Sequence, residues 1–383
     1  MDIGVNINIL VNKKCFSVLI PDGESFFALS VLRCLGQMKN INTYILSNLN
    51  WSPVRFSRYS NQYFSYKKAK CDEERLSAIY DIVKRTKVDV VLPVNEHTIR
   101  LLSLQKDKFS EITSIVALPK VDVFDIVSDK WLFSKWLKKY QIPHPKTILY
   151  QNNAEFNEEV SSIQFPVLIK PTFGYGGKGI KLFDNQTELR SYFKENILSE
   201  EFIVQSFING DDFGCSVLCE EGKILAHTIQ KKILCGMNSF TPSEGIEFLF
   251  DGNIFKVVEE VIQKLNWSGI GHFDLRFDKD KKQINVIEMN PRYWMSLLGS
   301  LQAGINFPYL ACLASLKYDF PKLLVRPHSY VQAKHFIKLM TQRFIDRKGM
   351  DPYYDISDIG IILKDPLPFI FDKCSIVYRK FRT

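Results

Sequence analysis

The chain of 383 residues lacks the runs that would place it in a membrane: no apolar stretch approaches the ~20 residues a span needs. Its first residues, MDIGVNINIL, hold no basic region followed by an apolar core, so no signal peptide is expected. The eight cysteines are scattered and none forms a C-x-x-C pair. Cys215 and Cys219 share a strand-like run with no partner pair elsewhere, which argues for reduced thiols in a cytoplasm and against a zinc site. The six histidines (His97, His144, His227, His272, His328 and His335) are dispersed, and no Ser-His-Asp or Cys-His arrangement is evident. A P-loop, G-x-x-x-x-G-K-[ST], is absent. There is no internal repeat and no low-complexity segment, and no nucleic-acid partner is expected.

What is there is an ordinary globular composition, 46% hydrophobic and 24% charged, long enough for two or three domains. The net charge of +8 is uneven: from Pro321 onward twelve Lys/Arg face six Asp/Glu, so +6 lies in the tail. A basic tail can attract phosphate-bearing partners or an anionic membrane surface, and a solvated face is the commoner explanation. The first ~120 residues alternate short strands with helices: Phe16–Ile20, a helix over Phe26–Gln37, Asn42–Leu46, a helix over Cys71–Arg85, Val88–Leu92, a helix over Glu96–Leu104, then Ser114–Leu118. Such alternation implies a parallel α/β sheet. Its first strand-to-helix turn, residues 21–25, is where ligands of these sheets often sit, although it is not G-x-G-x-x-G. A helix opens at Ser128-Asp129-Lys130, with Ser128 or Asp129 as N-cap. Strands and helices then mix without strict alternation, an α+β pattern. A helix is expected over Gly252–Leu265 and another over Leu301–Ser315, an amphipathic helix over Val331–Phe344, and an extended loop at residues 365–368, where neither proline suits a helix interior.

Two stretches carry chemistry. From Ile270 to Asn290 two short strands flank a polar turn at Lys279–Gln283. Strand side chains change face at every residue, which places Val286 on the face of Glu288 and sets Asp274 opposite Glu288 and His272 opposite Asn290. Opposed Cβ atoms lie roughly 5 Å apart. Two carboxylates that close are costly unless a cation sits between them, and Mg²⁺ held by one or two carboxylates usually also takes phosphate oxygens. Earlier, a strand from Phe165 ends in Lys170 and runs into a loop with Gly174, Gly176, Gly177 and Gly179 around Lys178. Glycines let backbone N–H groups approach phosphate oxygens, and hairpin turns rarely need four of them.

The order of these motifs resembles the ATP-grasp superfamily, in particular single-unit proteins similar to the ATP-grasp domain of carbamoyl-phosphate synthase, over roughly Phe16 to Tyr318. The resemblance implies α/β plus α+β architecture: a Rossmann-like pre-ATP-grasp domain (1–125), a small lid subdomain (126–204), a large subdomain with the metal site (205–325), and here a basic C-terminal extension (326–383). It implies that Lys130 and Lys170 contact ATP and that Gly174, Gly176, Gly177 and Lys178 form a mobile phosphate lid. Gln205, Ser206, Phe207 and Ile208 would be the adenine hinge, although the family often has Glu where Gln205 stands. Asp212 would bind ribose hydroxyls. Asp274, Glu288 and Asn290 would be metal ligands, and Arg292, with Lys170 and Asn290, would serve the transferred phosphate.

The cofactors so implied are ATP and Mg²⁺, with Mn²⁺ as the other ion such a site takes; a homodimer is the implied assembly. Most relatives phosphorylate a carboxylate and let an amine attack the acyl phosphate. The expected activity is therefore an ATP-dependent carboxylate–amine ligase with small-molecule acid and amine substrates. A carboxylase or kinase variant and a non-catalytic ATP-binding scaffold stand as alternatives. Lys231 and Lys232 point to opposite strand faces, so at most one lines the site. The segment Gly236 to Phe240 lies where relatives place substrate-facing groups, and residues 290–294 could present an aromatic wall.

Overall fold

A computed structural model of the protein describes residues 15–151, 154–174, 176–196, 200–234, 243–321, 323–333, 335–336 and 357–380. The first module runs β1 (Phe16–Ile20), α1 (Ala28–Leu35), β2 (Ile41–Ser47), β3 (Gln62–Ser65), α2 (Asp72–Thr86), β4 (Val90–Val91), α3 (Glu96–Leu104), α4 (Lys106–Phe109) and β5 (Ser114–Ile115). Its strands form a parallel sheet of order β3-β2-β1-β4-β5. Successive residues of β1 serve opposite cores. Val18 and Ile20 pack with α1, and Leu19 packs with Ile79 and Val83 of α2. Strands buried on both faces in this way read as continuous apolar runs, which is why β1 was legible. β3 is half exposed and carries no such run.

The second module holds α5 (Val121–Ser128), α6 (Lys130–Lys139), β6 (Thr147–Leu149), α7 (Ala154–Ser161), β7 (Val167–Pro171), β8 (Lys181–Phe183), α8 (Gln186–Glu195) and β9 (Phe202–Ser206). The strands make an antiparallel sheet of order β6-β9-β7-β8. Asp129 caps α6, its carboxylate accepting from the Leu132 N–H at 2.8 Å. β9 continues to Ser206, so the small sheet runs past the expected boundary at 204/205.

The third module is a six-stranded antiparallel sheet of order β14-β13-β10-β11-β12-β15, covered on one face by a helix. Its elements are β10 (Gly210–Glu220), β11 (Lys223–Leu234), β12 (Gly245–Leu249), α9 (Gly252–Leu265), β13 (Gly269–Asp278), β14 (Gln283–Asn290), α10 (Leu297–Gln302), α11 (Phe307–Ser315) and β15 (His328–Val331). Ile254, Val258, Val261, Ile262 and Leu265 of α9 pack on Cys215, Val217, Phe273 and Leu275, each such burial contributing about 1.5–3 kcal/mol. The other face packs Leu218, Ala226 and Ile270 with α10 and α11 at one end and is polar at the other, where it holds the site.

Three expectations change. The single helix over Leu301–Ser315 is two helices, because Gly304 adopts φ +98° and Pro308 sits in the first turn of α11. Residues 365–368 are not all loop: α12 (Ile359–Lys364) is followed by α13 (Leu367–Lys380), and Pro368 falls in its first turn, where a missing N–H costs nothing. Of the helix expected over Val331–Phe344, Val331 instead ends β15, Ala333, His335 and Phe336 are helical, with the Phe336 N–H donating to the Gln332 carbonyl, and residues 337–344 lie outside the described residues, as does the segment 236–240. The tail returns to the first module, where Phe371 stacks on Phe56 at 4.4 Å. Among the described residues no helix is long and apolar enough to cross a membrane, and none of the cysteines is in a disulfide.

Candidate active site

The expected hairpin register is present: His272 pairs with Asn290 and Asp274 with Glu288. A bulge follows, since Leu275 pairs with Val286 and Ile287 is the extra residue. The bulge turns Val286 into the core, fully buried, whereas simple alternation put it beside Glu288 on the cleft face. Register continues across the sheet. One row reads Thr228–Ser216–His272–Asn290 and the next Gln230–Gly214–Asp274–Glu288. Asp212 pairs with Arg276 in a third. His272 and Asn290 of the first row and the residues of the other two form one wall of a cleft of about 780 Å³ that all three modules line.

Asp274 and Glu288 are bridged by the Asn290 amide, whose Nδ2 donates to Asp274 Oδ2 at 3.1 Å and to Glu288 Oε1 at 3.4 Å. Burial pushes Glu288 up from the usual carboxylate range and the neighbouring Asp274 charge adds to this, against the pull of Lys130. Burial also acts on Asp274, but hydrogen bonding and charge from His272 outweigh it and hold that carboxyl low. His272 Nε2 lies 3.6 Å from Asp274 Oδ1, its Nδ1 meets the Ser216 hydroxyl at 2.8 Å, and its ring stacks on Trp294. Among the described residues no group of three or more His, Cys, Asp or Glu is placed to hold a metal by itself. Two opposed carboxylates fit a hard cation that completes its shell with phosphate and water. The Asn290 oxygen accepts from Arg292 Nη2 at 2.9 Å, so the amide must turn over to serve as a ligand.

Cations surround the pair. Lys170 is buried and donates to Gln205 Oε1 at 2.8 Å; burial lowers its pKa, with Glu288 acting in the opposite direction. Lys130 Nζ lies 3.6 Å from Glu288 Oε2 and donates to the Gly174 carbonyl at 3.1 Å. Gly174, Gly176, Gly177 and Gly179 take φ of +139°, +69°, +76° and +76°, conformations that side chains disfavour. Gly176 and Gly177 line the cleft; Gly174 and the exposed Lys178 are outside its lining, and Tyr175 lies outside the described residues.

At the other end, Gln205, Ser206, Phe207 and Ile208 line the cleft, but their groups are not equally available. The Gln205 side chain is spent on Lys170 and Thr147. The Ser206 and Phe207 N–H groups go to the carbonyls of Lys146 and Pro166, and Ile208 N–H meets no acceptor among the described residues. Asp212 also faces the cleft, held by Arg276 at 2.9 Å and Lys232 at 3.9 Å. Lys232 is the member of its pair that lines the cleft, while Lys231 pairs with Asp211 at 3.3 Å.

The first module adds Glu24, Ser25, Phe26, Phe27, Asn95 and Glu96 from the turns after β1 and β4, the point where strand order reverses. Asp22, in the same turn, is structural: it accepts from Arg75, Thr98 and the Val94 N–H. Glu96 accepts from Arg292 Nε at 2.7 Å, and Phe27 lies 4.9 Å beneath that guanidinium. Sequence reasoning missed Glu96, Phe27, Gln230 and Ser296; only the turn at residues 21–25, which leads into Phe27, gave a signal.

Residues 127–296 match the model of the ATP-grasp domain family. Over that stretch the chain is similar to ATP-grasp domains. It is 25% identical over 301 residues to the C-terminal section of the carbamoyl phosphate synthase large chain of Methanopyrus kandleri, covering 76% of this chain and 48% of that one. The chain thus spans about half the length of that relative. Its fold is similar to N5-carboxyaminoimidazole synthetase from Staphylococcus aureus complexed with ADP, with TM-score 0.64, 17% identity and 88% of each chain covered. It is also similar to the biotin carboxylase domain of Hydrogenobacter thermophilus 2-oxoglutarate carboxylase, solved with MgADP and bicarbonate. There the TM-score is 0.63 at 16% identity, over 82% of this chain and 73% of that one.

Proposed function

We propose that the protein is an ATP-dependent ligase that activates a carboxylate as an acyl phosphate for attack by an amine, releasing ADP and phosphate. The observation that carries this reading is the opposed pair Asp274–Glu288 in a cleft that Lys170 and Arg292 also line, with Lys130 beside Glu288 just outside that lining. MgADP in the Hydrogenobacter structure and ADP in the Staphylococcus structure support nucleotide binding here. The sheet order β3-β2-β1-β4-β5 supports a Rossmann-like pre-ATP-grasp role for residues 1–125.

A magnesium ion bound by Asp274, Glu288 and a reoriented Asn290 would neutralise phosphate charge. In this reading the Ile208 N–H takes adenine, Asp212 the ribose hydroxyls, and the glycine loop covers the phosphates. Lys170 and Lys130 balance the charge of the triphosphate, and Arg292 steadies the transferred group, since phosphoryl transfer depends on positioning and charge neutralisation. A carboxylate oxygen of the acid attacks the γ-phosphorus as the bond to the ADP oxygen breaks. The amine then adds to the acyl carbon and phosphate leaves. Closure of the glycine loop would keep water from the acyl phosphate.

The test is an ADP-release screen of carboxylic acids crossed with amines in the presence of Mg²⁺, with Glu288→Gln as blank. Release above the blank for at least one pair is expected. MgADP binding without release for any pair would favour a nucleotide-binding scaffold instead.

A further inference from the structure

Gln230 is 6% exposed, yet it lines the cleft. Its Oε1 accepts from the Ser296 hydroxyl at 3.1 Å, which fixes which end of the amide faces which way. Its Nε2 meets no acceptor among the described residues. The side chain is thus packed and oriented while its amide N–H group is left to face the cleft, as a preorganised donor for a ligand there would be. The neighbouring position in the row is Gly214. A Cβ there would lie 2.8 Å from Gln230 Nε2 and 3.0 Å from His272 Cε1. The missing side chain lets the amide lean across β10 toward Asp274. β11 and β13 are two strand spacings apart, roughly 10 Å. That interval accommodates a transferring phosphoryl group on the metal side and a carboxylate on the amide side.

We propose that Gln230 binds the acid substrate, its Nε2 donating to one carboxylate oxygen and placing the group over Gly214, opposite Asp274 and Glu288. The inference rests on the ligase reading above. The oxygen held by Gln230 is the one that does not attack. The other oxygen forms the bond to the γ-phosphorus while ADP departs with the electrons of the broken P–O bond. When the amine adds to the acyl carbon, negative charge gathers on the oxygen that Gln230 already holds, where a preorganised N–H stabilises it. The C–O bond to phosphate then breaks, and the leaving phosphate takes up the amine's proton. A neutral amide suits this place better than a cation, because a guanidinium or ammonium would damp the nucleophilicity of the carboxylate it held. Ser296 is a positioning residue: its hydroxyl keeps the amide from turning over and offering oxygen to an anion.

The experiment uses the full chain, Mg²⁺ and ATP, with hydroxylamine as a generic amine. Free amino acids and short mono- and dicarboxylic acids serve as probes, read as hydroxamate formed and ADP released. MgADP affinity is measured separately by calorimetry. Gln230→Met removes the donor at similar length, and Gln230→Glu keeps the shape but turns donor into anion. Both should raise KM for the acid about 10- to 100-fold and leave the MgADP Kd unchanged. Gly214→Ala, which pushes the amide aside, should move KM in the same direction. An acid KM unchanged in Gln230→Glu overturns the assignment alone, as does an MgADP Kd that rises in step with KM. A wild-type chain that binds MgADP and activates no acid removes the ligase reading, and this inference with it.

Discussion

Arg292 and Glu96 stand 196 positions apart in the chain and form an ion pair at 2.7 Å, joining the third module to the first. The same guanidinium donates to Asn290 Oδ1 and to the Tyr293 carbonyl, so every edge of it is directed. Glu96 is substantially exposed, with 42% of its side chain accessible, and pairs of this kind contribute about 0–1 kcal/mol to stability. Glu96→Ala should therefore change the melting temperature little. It should slow ADP release about 10-fold, because the arginine loses one of the contacts that aim it. Melting curves and kcat for the variant check both halves; a large fall in melting temperature with kcat intact would make the pair structural.

Asp274 and Glu288 face each other but differ in sign. Glu288 has its pKa raised by burial and by Asp274, so its charge is less favourable in the folded chain than in the unfolded one and opposes folding where the group is ionised. Asp274 has its pKa lowered, so its charge supports folding above its unfolded pKa and that support is lost as pH falls through the folded value. In EDTA at neutral pH, Glu288→Gln should raise the melting temperature and Asp274→Asn should lower it. Both should lose Mg²⁺-dependent ADP release. The stabilising effect of Glu288→Gln should shrink as pH falls through the raised pKa, below which the wild-type group is neutral as well. Equal shifts of the same sign in the two variants would defeat this account.

The same hairpin shows what a sequence makes legible. Period-two alternation with acids at 274 and 288 fixes a face and a register, and both are found. The bulge at Ile287 is not legible, because one extra residue leaves no trace in composition and shows only when partners are counted. The glycine loop announces itself, since four positions with positive φ demand glycine. Gln230 does not: it looks like any polar residue on a strand until register sets it beside Gly214 and Ser296 fixes the oxygen of its amide, leaving the N–H end to the cleft. Glu96 is hidden for a different reason. It reads as an acid in the first turn of a helix, which the helix dipole explains without a site, and only tertiary packing brings it to Arg292.

Lys170 offers a test that separates binding from folding. It is buried, its charge is opposed by desolvation, and its main protein contact is Gln205 Oε1. Lys170→Met removes a buried cation, which favours folding, and strands the Gln205 oxygen, which costs about 1–3 kcal/mol. The two effects offset, and the melting temperature should move by only a few degrees. MgADP affinity should fall about 10-fold or more, because a charge-assisted contact to phosphate is lost in a site shielded from water. Calorimetry of MgADP binding against a melting curve decides it: a chain that melts far lower with affinity intact would show Lys170 to be a structural residue.

The returning tail depends on one carboxylate. Asp365 is 1% exposed, accepts from Arg33 Nε at 3.1 Å, from the Ser57 hydroxyl at 2.9 Å and from the Arg58 N–H at 2.9 Å. Arg33 is itself buried and donates a second bond to the Asp365 carbonyl at 2.9 Å. Removing the carboxylate alone leaves a buried guanidinium without its counter-charge, a loss of about 3–5 kcal/mol. Asp365→Ala should therefore lower the urea midpoint sharply at constant m-value. Asp365→Asn, which keeps an acceptor oxygen but not the charge, should fall between it and the wild type. Arg33→Met combined with Asp365→Leu removes both charges and lets apolar groups fill the space, so the pair should recover most of the loss. Recovery in the double variant identifies the cost as an unpaired buried charge; failure to recover would mean that the hydrogen bonds from Ser57 and Arg58, not the ion pair, tie the tail to the first module.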